Sequence, residues 1–409
     1  MREQTAIRLS FILQMQETVQ EFARSMFSRP LRRLGQLSAV CIPQSHPRIL
    51  RGMQVLASEA DTTPTIEDAE RYSRQVLFRG IGAEGQQKLR LGHAAVIGVG
   101  ATGAATAGLL ARAGVGRLTL VDRDFVEPSN LQRQVLFDEE DALAALPKAE
   151  AARRHIARFN SGIRVDAQIA DLVPANVASL LEGADIVLDC TDNFETRYLL
   201  NDFCVRDNKP WIYAAAVGSY AATMNILPHQ TACLACIFPA APSGNVETCD
   251  TAGILSTAVN LAASLQTTEA LKFLTGQPEL MRRTLLSFDL WTPEGPETLA
   301  RSEISAAHPR KSCEVCGNST FRYLAGEGRP HITLCGRNSV QIHEHHRPVD
   351  LLALRDRLSP LGSVRSNGML LRFERPPHSI TVFPDGRALV QGTTDIGLAR
   401  SLYARFIGI

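Results

Sequence analysis

The stretch VIGVGATGAATAGLLARAGVGRLTLVD, Val96 to Asp122, decides what kind of chain this is. It reads as a strand, a glycine turn, a helix of small residues, a second strand and an acid. Gly98, Gly100 and Gly103 have the spacing G-x-G-x-x-G. Glycines there let the backbone come close to a phosphate, and the helix behind them offers free N–H groups and its positive dipole end. Asp122, closing the second strand, suits a ribose hydroxyl. NAD, FAD and ATP can all use this arrangement, and so can a tight turn with no ligand.

Strands and helices alternate from Ala94 to Ala170, which predicts an α/β fold with a doubly wound, mostly parallel, Rossmann-like sheet. ADIVLDCTDN reads as a buried strand ending in Asp189 and Asp192. Ligands of open parallel sheets lie beyond the carboxyl ends of the strands, so both acids point to the rim of the glycine turn. PWIYAAAVGSYAATMNILP, turning at Gly218-Ser219, predicts antiparallel strands appended to the sheet. STAVNLAASLQTTEALKFLTG predicts a long helix closed by Gly276.

After CEVCG at 313–317 the pattern changes. A strand HITLCGRNSVQI, a helix VDLLALRDRL, two strands around an FPDG hairpin and a last helix predict a small α+β domain over 318–409. The main domain spans 65–317 and opens with Thr65 as an N-cap, Glu67 and Asp68 following in the first turn. Residues 1–64 form an extension whose first 60 residues hold eight arginines, no lysine and few acids. That composition fits a transit-like segment or a start placed too far upstream, with Met53 as the alternative start.

The chain's 409 residues suffice for two or three domains. Its 21% charged residues and net charge of +1 give no basic surface for nucleic acid or membrane. No apolar run approaches the roughly 18–20 residues of a membrane span. Nine cysteines are too few for a disulfide scaffold and odd in number, and two pairs have metal-ligand spacing, which favours a reducing, cytoplasmic setting.

The segment after Asp122 separates the nucleotides. In VDRDFVEPSNLQRQVLF, Asn130, Arg133 and Gln134 follow the ribose acid, where a dinucleotide enzyme needs no such cluster. Lys148, in LPKAE, is one of five lysines against 38 arginines. Cations beside a nucleotide suit a triphosphate, whose charge must be neutralised before a leaving group departs. Asp192 can carry magnesium, which takes one or two carboxylates plus phosphate oxygens. Singly, each of these charges reads as a solvated face; their joint spacing does not.

Cys233-x-x-Cys236 and Cys313-x-x-Cys316 supply four thiolates for one tetrahedral zinc, stapling two distant segments in a structural role. Cys249 lies thirteen residues beyond the first pair. Cys190 and Cys204 read as core residues. Cys335, in LCGRNS, reads as a buried strand cysteine with a sulfur relay as the rival reading. The HEHH run from His343 to His346 reads as a polar loop rather than a metal site.

RYSRQVLFRGIG, GVGATG, LVDRDFVEPSNLQRQ, LPKAEAA and DCTDNFETRYLLND together resemble the ThiF/MoeB family, relatives of the ubiquitin-activating enzymes. The likeness runs from Arg71 to Gly317 and keeps the family's motif order. It implies an adenylyltransferase that uses ATP to activate the C-terminal Gly-Gly carboxylate of a ThiS- or MoaD-like sulfur carrier, for thiamine or molybdenum-cofactor synthesis. It also implies a role for each matching residue. Asp122 would bind ribose, Asn130, Arg133 and Lys148 the phosphates, and Asp192 the magnesium most needed for chemistry. Arg74 would reach the neighbouring subunit of a homodimer. Cys249 would lie on a crossover loop linked to the carrier or to a sulfur donor. Ala101 departs from the family, which has a second consecutive glycine there; its methyl narrows the approach to phosphate. The rivals are the same activation of a peptide or tRNA nucleoside, and a scaffold that only docks the carrier.

Overall fold

Alternation of apolar residues sends the two sides of β1 (His93–Ile97) into two different cores. Ala94 and Val96 pack in one, Ala95 and Ile97 in the other. Only a central strand covered on both faces behaves this way. The computed structural model describes residues 67–240, 252–291, 300–327, 339–342 and 348–408, and the backbone of 332–335. Residues 67–409 cluster as one compact unit.

The first sheet has eight strands: β1, β2 (Arg117–Val121), β3 (Arg164–Gln168), β4 (Ile186–Asp189), β5 (Trp211–Val217), β6 (Tyr220–Ile226), β7 (Thr284–Asp289) and β8 (Ala300–Ser305). Their order is β3-β2-β1-β4-β5-β6-β7-β8, parallel from β3 to β5 and antiparallel beyond. This is the doubly wound sheet with appended antiparallel strands that the sequence predicts. The β5–β6 hairpin turns at Gly218, whose φ of +60° glycine adopts without strain.

Four helices matter for the site: α1 (Ala101–Ala113), α2 (Lys148–Phe159), α3 (Phe194–Arg206) and α4 (Ser256–Leu274). Gly276 ends α4 with φ +82°, as predicted. The first helix among the described residues differs from expectation. It spans Asp68–Arg71 with Glu67 in the cap position, and Thr65 lies outside the described residues.

A second, six-stranded antiparallel sheet follows. It comprises β9 (Ile332–Cys335), β10 (Ser339–Ile342), β11 (Ser363–Ser366), β12 (Leu371–Arg375), β13 (His378–Val382) and β14 (Ala388–Gln391), in the order β11-β12-β13-β14-β10-β9. One face carries Val340, Ile342, Leu371, Phe373, Ile380, Val382 and Val390 against α5 (Leu351–Leu358) and α6 (Ile396–Phe406). HITLCGRNSVQI is two paired strands rather than one. The FPDG hairpin forms, with Gly386 at φ +90°. This sheet leans on the first through Phe125, Ala145, Leu370 and Phe383, and through the buried Arg387, which donates to the Ile169 carbonyl at 3.1 Å.

Candidate functional site

A crevice belongs where the strand order reverses, between the carboxyl ends of β1 and β4. The glycine turn that leaves β1 is shaped by that neighbourhood. Gly98 has φ +81°, and a Cβ on it would lie 2.9 Å from the Cys190 carbonyl oxygen. A Cβ on Gly103 would lie 1.8 Å from the Gly98 carbonyl oxygen, which no rearrangement of a side chain relieves. Gly100 is different: a Cβ there would meet only Gln134 Nε2, at 3.9 Å. It caps α1 without any side-chain cap, leaving the helix's first N–H groups for an anion. Ala101, half-buried, is the first residue of that helix.

Asp122 follows β2 and is almost fully buried. Its Oδ2 accepts the Val99 N–H at 2.6 Å and its Oδ1 the Asp124 N–H at 2.7 Å. One carboxylate thereby ties the glycine turn to the loop after β2. Burial pushes its pKa above the usual carboxylate range, while the nearby Lys148 ammonium pulls it down.

Beyond that loop, a 3₁₀ turn over Pro128–Asn130 sets Asn130 inward, its Oδ1 accepting the Glu127 N–H at 3.1 Å. Gln134 packs one turn on, its N–H donating to the Asn130 carbonyl at 2.9 Å. Both side chains are buried, yet Asn130 Nδ2 and Gln134 Oε1 have no partner among the described residues. Buried polar atoms of this kind are satisfied by a buried water or by a polar ligand. Arg133, between them, donates to the Ser129 carbonyl at 2.8 Å. Lys148 opens α2 with 3% of its surface exposed and its Nζ 3.3 Å from Asp124 Oδ2.

Asp192 is exposed on the turn between β4 and α3. The turn is held firmly on both sides. Asn193 caps α3 through the Thr196 N–H at 2.8 Å, and Thr191 donates its hydroxyl to Asp189 at 2.7 Å. Asp189 is fully buried and pairs with Arg197 at 3.4 Å; burial raises its pKa and Arg197 opposes the rise.

Arg74 does not join this group. It is exposed on a short helix, Ser73–Val76, whose Gln75 donates to the Ala113 carbonyl at 2.8 Å, at the far end of α1. The thirteen residues of α1 put that end about 20 Å from the glycine turn. Cys249 and His343–His346 lie outside the described residues, and Cys335 ends β9. Cys190 and Cys204 are buried, and burial pushes both thiols well above their ordinary pKa.

Cys233, Cys236, Cys313 and Cys316 come together. Cys233 Sγ lies 3.8 Å from Cys236 and 3.6 Å from Cys313, and Cys236 lies 3.4 Å from Cys316. A tetrahedral zinc with bonds of about 2.3 Å sets its sulfurs about 3.8 Å apart, so the four thiols fit one ion. The Arg310 N–H donates to Cys236 Sγ at 3.3 Å, the kind of outer contact that orients a thiolate ligand.

Two residues escaped the sequence reading. Asp124 holds Lys148, and Gln266 of α4 donates to the carbonyls of Asp189 and Ile212, both at 2.9 Å. Gln266 also accepts from Thr106 at 3.2 Å, bracing the end of β4 against α1. Its signal was visible as an amide set among the small residues of α4.

A glycine turn where the strand order reverses, with an oriented acid, a buried lysine and an uncapped helix beside it, is the arrangement of nucleotide-binding enzymes of the doubly wound class. Residues 72–315 match the ThiF family, and the chain belongs to it and is an adenylyltransferase. It is 44% identical over 342 residues to the sulfur carrier protein ThiS adenylyltransferase of Bacillus subtilis, covering 83% of this chain and 99% of the relative. It is 33% identical over 299 residues to the adenylyltransferase and sulfurtransferase MOCS3 of Drosophila sechellia, covering 73% of this chain and 63% of that protein. The fold resembles that of E. coli MccB with ATP, with a TM-score of 0.51, 26% identity, and coverage of 60% of this chain and 74% of the other.

Proposed function

We propose that this chain uses ATP to adenylate the C-terminal Gly-Gly carboxylate of a small ubiquitin-like sulfur carrier, releasing pyrophosphate. The observation that carries the reading is the buried Lys148 beside Asp122, itself tied to the glycine turn. A cation suits a triphosphate and an oriented acid suits a ribose. The likeness to a ThiS adenylyltransferase over nearly that protein's full length favours a ThiS-type carrier, and thiamine synthesis, over a MoaD-type carrier and molybdenum cofactor.

In this reading the carrier carboxylate attacks the α-phosphorus and pyrophosphate departs. Such a transfer needs positioning and charge neutralisation rather than a general base. Asn130, Arg133 and Lys148 hold the phosphates, with Gln134 and the turn Gly98–Gly103 closing on them. The Ala101 methyl loosens ATP rather than excluding it, because it stands at the mouth of α1 and not inside the turn. Magnesium would neutralise phosphate charge, held by the exposed Asp192. Arg74, remote from its own crevice, serves the site of a second copy in a homodimer. Zinc would cross-link α3's surroundings through four thiolates, with no open position for chemistry. Cys249 is the thiol that meets the activated carrier or a sulfur donor, and the cytoplasm is the compartment that keeps it reduced.

The test is pyrophosphate exchange. Full-length protein with magnesium and a carrier ending in Gly-Gly should exchange labelled pyrophosphate into ATP, and a carrier lacking that dipeptide should not support it. Exchange driven instead by a short peptide or by tRNA would replace the substrate class. No exchange with any of the three would leave only a docking scaffold.

A further inference from the structure

The short helix Glu139–Leu143, just before Lys148, ends in an unusual way. Leu146 N–H donates to the Asp141 carbonyl at 3.0 Å and Ala145 N–H to the Ala142 carbonyl at 3.2 Å, the double closure that normally has glycine in the left-handed position. Here that position is Ala145, at φ +47°. The end of α4, by contrast, has Gly276 there. An alanine in this region is strained and persists only when its surroundings hold it.

The holder comes from the second sheet. In the β11–β12 loop, Asn367 accepts the N–H groups of Met369 and Leu370 through Oδ1, both at 3.1 Å. Those two donors fix which way the amide faces. Its Nδ2 then donates to the carbonyls of Ala144 at 3.3 Å and Ala145 at 3.1 Å, more than 200 residues away in sequence. Leu370 and Phe383 pack on Ala145 and Phe125, and the Arg372 guanidinium lies over the Phe125 ring. Only Leu146 and Pro147 separate the clamped turn from Lys148. Both are anchored, since Val126 N–H donates to the Leu146 carbonyl at 2.8 Å and Pro147 bridges to Phe125.

We propose that Asn367 is a positioning residue for the nucleotide site: by clamping the strained Ala144–Ala145 turn, it sets where α2 begins and so where the Lys148 ammonium lies. The proposal rests on the reading of Lys148 as a phosphate ligand. It gives the second sheet a part in ATP binding through the Asn367 clamp.

The test is equilibrium ATP binding to the full chain with Asn367→Asp, which keeps the acceptor half of the amide and removes the donor half. Affinity should fall about three- to tenfold, as expected for losing paired hydrogen bonds. Adding Ala145→Gly should recover most of the loss, because glycine holds the left-handed turn without a clamp. A merely structural role for Asn367 would not be repaired at Ala145. Asn367→Ser, too short to reach the turn yet able to accept within its own loop, makes the same measurement should the aspartate variant not fold. Wild-type affinity in the Asn367 variant while Lys148→Ala binds weakly overturns the proposal alone, as does a loss that Ala145→Gly leaves unrepaired. Wild-type affinity in Lys148→Ala overturns the underlying reading of Lys148 and the proposal with it.

Discussion

Lys148 and Asp124 form an ion pair at 3.3 Å in which the lysine is buried and the aspartate is not. The pair therefore holds the ammonium in place with its counter-ion on the solvent side, and in the proposed reading a phosphate meets it there. Lys148→Ala should lower pyrophosphate exchange by about 10²- to 10³-fold, the usual loss for one preorganised charge contact. Lys148→Arg should not restore it, because a bulkier planar guanidinium does not substitute for a compact ammonium at a buried position. Steady-state exchange kinetics check both, and a fully active Lys148→Arg would remove the geometric argument.

Arg74 and Asp192 lie at opposite ends of α1, and the homodimer reading brings them together only across two chains. Asp192→Ala should abolish exchange with an unchanged melting temperature, since the side chain is exposed. Arg74→Ala should also be inactive. Mixed and allowed to exchange subunits, the two inactive variants should regain about a quarter of wild-type activity, because half the dimers then hold one intact site. Complementation that never rises above either parent would refute a shared site.

The thiol cluster predicts about one zinc per chain by metal analysis. Cys236→Ser or Cys316→Ser should lower both metal content and melting temperature, because metal-binding energy is coupled to folding. A strong chelator should lower the wild-type melting temperature in the same direction. Metal-free wild type with undiminished stability would count against zinc altogether.

Adenylation needs cations but no thiol, so Cys249→Ser should retain exchange. A Cys249 thiolate attacking the acyl adenylate would form a thioester and release AMP. Wild type with carrier, ATP and a sulfur donor should therefore show a thiol-sensitive adduct by intact mass that the serine variant lacks. Cys190 and Cys204 should resist alkylation in the native protein, since burial keeps both as thiols. An adduct that survives Cys249→Ser would pass the role to another cysteine.

Much of this protein could be read from its residues because the signals are local. Three glycines spaced two and three residues apart, a strand that alternates, and a cysteine pair at a spacing of three all act within one element. They gave the parallel sheet, its appended hairpin and the gathering of four thiols. What the tertiary structure alone decided acts across the chain. The resemblance implies that Arg74 serves a neighbouring subunit, but only the fold places its helix against the far end of α1. Gln266 reads as one of several polar residues on α4 until the ends of β4 and β5 meet it. β9 and β10 merge into one apparent strand, because a tight reversal between short strands leaves the alternation almost unbroken. In the sequence Asn367 and Ala145 read as ordinary residues, and their pairing depends on packing one sheet against another. Periodicity records what an element needs from its own neighbours, whereas only the assembled chain determines which distant backbone a side chain meets.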